Sequence, residues 1–219
     1  MMKRILFVVT AMVALSGAAI NRFYLPDFTI YPGETMLVAM ILENDEPFTA
    51  FQTDLVLPQG LSVVDDDGEY LFDLTGRNAS DQTIISKLRE DGVLRMVSFC
   101  MSVRPYSGNN GPIVVINLHA DESFTGPATI MLKNSFFSTI YGVQFNLPTE
   151  SSNVQLLDRL VIGDVNGDGV RDVEDVTMLI SFVLNGCTTS FHVGNAYIND
   201  DGVIDISDIT ALISLILNV

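Results

Sequence analysis

Tryptophan is absent from these 219 residues, cysteine and histidine occur twice each, and 11 lysines and arginines stand against 27 acids. Each shortage excludes something. A chain of net charge −16 repels phosphate backbones and anionic lipid, because nucleic-acid binding needs clustered Lys and Arg. No nucleic-acid partner is expected. Cys100 and Cys187 are too few for a disulfide framework. Cys100 lies in a strand-like run and Cys187 follows a helix-like run, so two unpaired thiols are expected. Neither His119 nor His192 sits at a metal-ligand spacing. Without Trp, the ring that most often stacks on sugars is missing. Tyr70, Tyr106 and Tyr141 lie near loops and are the remaining platform candidates, while most of the 13 Phe residues alternate with polar residues as core positions do.

Long apolar runs are equally scarce. The run 5-ILFVVTAMVAL-15 falls short of the roughly 20 residues that a membrane span needs. It follows Lys3 and Arg4 and precedes the small residues 16-SGAA-19. That is the layout of a secretory signal peptide over residues 1–19, cleaved near Ala18 or Ala19. A secreted chain, extracellular or held at the cell surface, with no membrane span, is expected.

Catalytic signatures are missing too. Glu34, Glu43, Asp54, Glu69, Asp73, Glu90 and Asp91 show no spacing that selects a pair of carboxylates flanking one bond. No GxSxG or HExxH pattern occurs. Most of these acids fall in turns or at strand ends and read as solvated surface. No catalytic residue is assigned, and the chain is not read as an enzyme.

What is present falls into two regions of different period. In residues 20–157, short runs rich in Val, Ile, Phe and Thr alternate with Gly, Pro, Asn and Asp clusters. Strands are expected at 28–30, 35–43, 48–57, 61–64, 83–89, 93–102, 113–120, 128–133 and 153–157, with a long loop over 66–82. About nine strands without helical period between them predict an antiparallel β-sandwich.

In residues 158–219 the period becomes helical. Val173, Val176, Leu179, Ile180, Val183 and Leu184 recur at spacings of three and four, and so do Ile206, Ile209, Leu212, Ile213, Ile216 and Leu217. The two halves repeat at an offset of 33 residues: 163-GDVNGDGVRDVEDVTMLISFVLN-185 and 196-AYINDDGVIDISDITALISLILN-218 share 12 of 23 positions. Each helix follows a twelve-residue acidic loop. In 164-DVNGDGVRDVED-175, Asp164, Asn166, Asp168, Asp172 and Asp175 occupy the oxygen-ligand positions 1, 3, 5, 9 and 12 of a calcium loop. Val170 adds its carbonyl at position 7 and Gly169 makes the turn at position 6. The second loop supplies Asn199, Asp201, the Val203 carbonyl, Asp205 and Asp208, but Tyr197 stands at position 1. A neutral phenol cannot replace that carboxylate. Water fills gaps in calcium shells, so two calcium sites are expected, the second the weaker.

The repeated loop and helix, 164-DVNGDGVRDVEDVTMLISFVL-184 and its partner, resemble a type I dockerin, the calcium-dependent docking module of bacterial cellulosomes and related extracellular assemblies. The front domain resembles a cohesin, through 48-FTAFQTDLVLPQGLSVV-64, 111-GPIVVINLHA-120 and 126-GPATIMLKNSFFS-138. The same sandwich also hosts carbohydrate-binding modules. The resemblance implies a multidomain protein: a cohesin-like sandwich followed by a small all-α module of two loop–helix repeats. It implies a cohesin-type domain of another protein as partner, contacted through Val173, Glu174, Ile180 and Ser181 and through Ile206, Ser207, Ile213 and Ser214. A dockerin on the front domain is a further candidate partner. The function implied is non-catalytic docking in a polysaccharide-degrading assembly; the alternative is a sandwich that binds polysaccharide and is attached by its dockerin.

Overall fold

The structure, a computed structural model, describes residues 21–157 and 161–217. The expected signal segment 1–19, the expected domain start at 158 and the end of the second repeat at Asn218 lie outside the described residues. The front part contains β1 Arg22–Tyr24, β2 Phe28–Ile30, β3 Thr35–Glu43, β4 Phe48–Val56, β5 Leu61–Val63, β6 Asp65–Asp66, β7 Glu69–Tyr70, β8 Phe72–Leu74, β9 Gln82–Leu88, β10 Leu94–Cys100, β11 Pro112–Ala120, β12 Ala128–Thr139, β13 Gln144–Asn146 and β14 Glu150–Leu156. The remainder holds α1 Val173–Asn185, β15 Ser190–Phe191, α2 Val193–Ala196 and α3 Ile206–Leu217.

Two sheets face each other. One runs β1-β3-β11-β5, with β8 also on β11; the other runs β2-β14-β12-β4-β10-β9, with β13 on β12. Period-2 patterning explains the pairing. Along 94-LRMVSFC-100, Leu94, Met96, Ser98 and Cys100 are buried while Arg95, Val97 and Phe99 face outward. The inward faces meet around a knot of rings: Phe23, Phe48 and Phe51 each lie 5.1–5.3 Å from Phe137 between centroids. Burying one such ring contributes roughly 2–3 kcal/mol. Among the described residues seven Phe side chains are buried, in keeping with the core role expected of most of them.

All nine expected runs contain a strand, and the sandwich differs from the expectation in three ways. First, it is not wholly antiparallel. β14 runs parallel to β2, with Val154 opposite Phe28. The chain leaves one sheet after β1, passes Pro26, which cannot donate to a ladder, and joins the other sheet as β2. Second, residues 66–82 are not one long loop. Asp67 and Gly68 take positive φ and close a β6–β7 ribbon, with Asp65 accepting from the Gly68 amide. Third, Arg77 inside this stretch ties distant loops together. Its guanidinium donates to the carbonyls of Leu42, Ser107, Gly108 and Gly111 and to Asn44 Oδ1. Burial lowers its pKa. None of these long-range bonds leaves a periodic trace in the sequence.

The C-terminal part is not all helical either. β15 lies between the two repeats and pairs antiparallel with β3, Ser190 opposite Val38 and Phe191 opposite Leu37. The β3 edge beyond β1 has free backbone groups, and an extended segment satisfies them. Behind β15, Val165, Val176, Leu179, Phe191, Ala196 and Leu212 form a second small core. Phe182 stacks on Phe191 with centroids 4.0 Å apart.

Candidate calcium loops and docking face

Each helix is started by its own loop. Asp172 caps α1, accepting from the Glu174 amide at 2.7 Å, while Asp175 Oδ2 reaches back to the Asp172 amide at 2.9 Å. The other oxygen of Asp175 accepts from the amides of Val165 and Asn166. Asp208 does the same in the second repeat, accepting from Ile198, Asn199 and Asp205. Both carboxylates are fully buried. The next bonds repeat as well: Asn166 Oδ1 accepts from the Asp168 amide and Asp168 Oδ1 from that of Val170, as Asn199 does from Asp201 and Asp201 from Val203. Gly169 and Gly202, at position 6, take φ of 86° and 82°, a region closed to most side chains.

Position 1 breaks the symmetry. Asp164 is buried and accepts from the amides of Gly167, Asp168 and Gly169. Tyr197, half-buried at the end of α2, places no carboxylate there. At position 9, Asp172 also serves the helix cap. Asp205 is held below the usual carboxylate range by the Ser207 hydroxyl and amide.

Among the described residues no three His, Cys, Asp or Glu side chains are gathered as a metal-holding group. In the first loop Asp168 Oδ2 instead accepts from the Asn166 side chain at 3.0 Å. The donor set nevertheless fits a hard cation. It is all oxygen, and among the described residues no Lys or Arg pairs with the buried Asp164 or Asp175. Burial pushes the Asp175 carboxyl up, and the charge of Asp164 adds to the shift. Two neighbouring buried carboxylates without a counter-charge are costly. A calcium ion held by Asp164, Asp168, Asp172, Asp175, Asn166 and the Val170 carbonyl would supply that charge.

The apolar stripes of the two helices divide. Val176, Leu179 and Leu212 are buried. Ile209 and Ile216 pack partly against the same core, and Val183 is half-buried. Three pairs face out and match across the repeat: Val173 and Ile206 are 70% and 73% exposed, Ile180 and Ile213 39% and 41%, Leu184 and Leu217 74% and 65%. Glu174 and Ser207 are exposed, and Ser181 and Ser214 half-exposed. The structure therefore brings the eight expected contact residues to the surface of α1 and α3. It adds Leu184 and Leu217, which lie on the same apolar faces but were not among the expected contacts. Ser207 also serves the loop, bonded to Asp205 and Asn199.

The other candidates separate. Tyr106 is buried against Gln82 and Ser98, and Tyr70 packs on the sandwich core, which leaves Tyr141 alone exposed. Two acids read as solvated surface are not: Asp54 is buried and the Glu34 side chain is nearly covered. Asp54 is held below its ordinary pKa by a bidentate bond to Arg95. Glu34 faces His192. Both cysteines are free.

The described residues thus form a sandwich followed by twin acidic loops with outward apolar helices. The family model described as "Dockerin type I domain" matches residues 162–217. Such domains generally bind calcium. The sandwich resembles cohesin domains. It matches the sixth cohesin of scaffoldin B from Acetivibrio cellulolyticus, solved in complex with a dockerin. The identity is 13% and the TM-score 0.50, covering 63% of this chain and 99% of that one. It also matches a type II cohesin from Bacteroides cellulosolvens at 11% identity and TM-score 0.50, covering 64% of this chain and 100% of that one. At such identity the likeness is one of fold. No curated protein matches the chain.

Proposed function

We propose that residues 158–219 form a calcium-dependent docking module that attaches this protein to a cohesin-type domain of another protein. The setting is an extracellular or cell-surface, polysaccharide-degrading assembly, reached by secretion after cleavage near Ala18 or Ala19. The observation that carries this is the matched exposure of Val173 with Ile206, Ile180 with Ile213 and Leu184 with Leu217. Small modules do not leave six large apolar side chains out in register unless something covers them. The protein is non-catalytic in this reading.

A second reading concerns the sandwich as recipient of another acidic docking module. On the outside of the β14-β12-β4-β10-β9 layer, Ile85, Val97 and Phe136 lie among Lys87, Arg95 and Lys133. Residues 158–219 carry ten acids against two arginines, so the charges are complementary. The alternative of a glycan-binding sandwich would draw on the groove of about 560 Å³ lined in part by Tyr70 and His119, or on the exposed Tyr141.

The test is calorimetry of the secreted chain against a panel of cohesin-type domains, with calcium and with EDTA. Binding that EDTA abolishes and that Ile180→Lys with Ile213→Lys weakens by about 100-fold, with helical content kept, is the expected result. Retention on insoluble polysaccharide with no cohesin binding would overturn the docking reading.

A further inference from the structure

The two loops differ in what stands behind them, and only the first is pressed against the sandwich. Thr29 on β2 donates its hydroxyl proton to the carbonyl of Gly167, at loop position 4, over 2.8 Å. The same oxygen lies 3.3 Å from His192 Nε2. His192 is fully buried and its Nδ1 sits 2.7 Å from Glu34 Oε1. The second oxygen of Glu34 accepts from the Tyr31 amide, and the Tyr31 ring packs edge-on against the imidazole. The His192 amide donates to the Val165 carbonyl, at loop position 2. Asn195, bonded to the His192 carbonyl, caps the Asp164 carbonyl with its side chain. A chain of bonds therefore runs from β2 and the Tyr31–Glu34 turn into positions 1, 2 and 4 of the first loop.

Gly167 shows how close the approach is. A Cβ there would run into His192 Nε2 and Thr29 Oγ1. In the second loop, position 4 is Asp200, at φ 59°, and its side chain is exposed. The loop backbone thus accepts a side chain at position 4. The requirement for glycine in the first loop comes from Thr29 of the sandwich and from His192, which Glu34 of the sandwich holds, and not from the loop itself.

We infer that the sandwich is a working part of the first calcium loop, with Thr29, His192 and Glu34 as positioning residues that hold its backbone in the ligating shape. The inference rests on the calcium reading above and adds to it an asymmetry between the loops independent of Tyr197. Groups that orient metal ligands from outside the ligand set typically change affinity by about 10–100-fold when removed. Thr29 acts on a single carbonyl, which puts its effect at the low end.

The test uses the full secreted chain, titrated with calcium while the amide resonances of Gly169 and Gly202 report the two loops separately. Thr29→Val keeps the shape and removes the hydroxyl. Gly167→Asn keeps the positive φ, which Asn tolerates, and wedges the joint open. Thr29→Val is expected to weaken the Gly169 response about tenfold and Gly167→Asn by more, with the Gly202 response unchanged. Equal affinity at Gly169 in the parent and both variants overturns the inference and leaves the calcium reading standing. Weakening of both loops together also overturns it, since that is what general loss of stability would do. Absence of any calcium response in the parent overturns the calcium reading, and this inference with it.

Discussion

The two repeats carry nearly the same residues and repeat the same backbone bonds, yet one is built into the protein and the other is not. Asp175 and Asp208 accept from matching amides, and Ile180 and Ile213 are exposed almost equally. Against that, Gly167 meets Thr29 and His192, while Asp200 at the same position faces water. A loop's fold follows from its own twelve residues. Its stiffness follows from what it leans on. The repeat sets the first and the sandwich sets the second, so the comparison can be broken at either level.

Chelation should break it most completely. Asp164, Asp168, Asp172 and Asp175 crowd one loop, and their mutual repulsion opposes closure without a cation. In EDTA the full chain should lose the helical circular-dichroism signal of α1 and α3 while keeping its strand signal. An unchanged spectrum would mean that packing alone folds both repeats.

Single carboxylates come next. Asp175→Ala strips three amides of their acceptor, the Val165 amide among them in a buried loop. Unsatisfied buried donors cost about 1–3 kcal/mol each, so a loss on the order of 3 kcal/mol is expected. Asp208→Ala removes the same three bonds from the free loop. It should cost less, because a loop open to water can rehydrate its amides. Denaturant melts of the two variants check the order, and equal losses would deny that the sandwich stiffens the first loop.

The first repeat's hold on the sandwich also has a chemical reporter. Cys187 lies in the cleft of about 450 Å³ between Phe182 and Leu37, and its thiol donates to the Thr189 carbonyl. Burial pushes its pKa up to about 12. Only the thiolate reacts, so alkylation at pH 8 should be slow and should quicken as pH rises toward that value. Gly167→Asn, by loosening the joint, should speed it at pH 8. A Cys187 that reacts in the parent like a free thiol would show that β15 does not stay on β3.

How far this was legible in the sequence depends on range. The loops, the acidic pattern within them and both helices are local patterns, and the 33-residue repeat doubled the signal. The nine main strands were visible for the same reason. The joint was not. Thr29, Glu34 and His192 are separated by up to 163 positions, and each is unremarkable in its own neighbourhood. Glu34 beside a turn reads as solvated, and His192 has no ligand spacing. β15 is two residues long and exists because β3 offers an edge. The apolar stripes were legible as faces but not residue by residue. Spacing puts Val173 and Leu184 on the same face as Val176 and Leu179, a module this small buries only part of that arc, and Leu184 falls with Val173 on the exposed part.

The smallest expected effect is the one that tests position 1. Tyr197→Asp restores the carboxylate that Asp164 provides in the first loop, and the second loop has the geometry to use it. Gly202 has the required positive φ, Asp208 is anchored by three amides, and Asn199 and Asp201 repeat the bonds of Asn166 and Asp168. What the change gives up is the burial of the half-buried Tyr197 side chain. A new ligand carboxylate in a loop that already holds three should outweigh that, but the second loop has no Thr29 behind it. The gain in calcium affinity should therefore be modest, about tenfold, or near 1.4 kcal/mol. It should stop short of the first loop's affinity even though the ligand sets then match. Two calcium-binding steps that become equal in Tyr197→Asp would assign the whole difference between the loops to position 1 and none to the sandwich. Steps that approach one another but stay apart would divide it between the two.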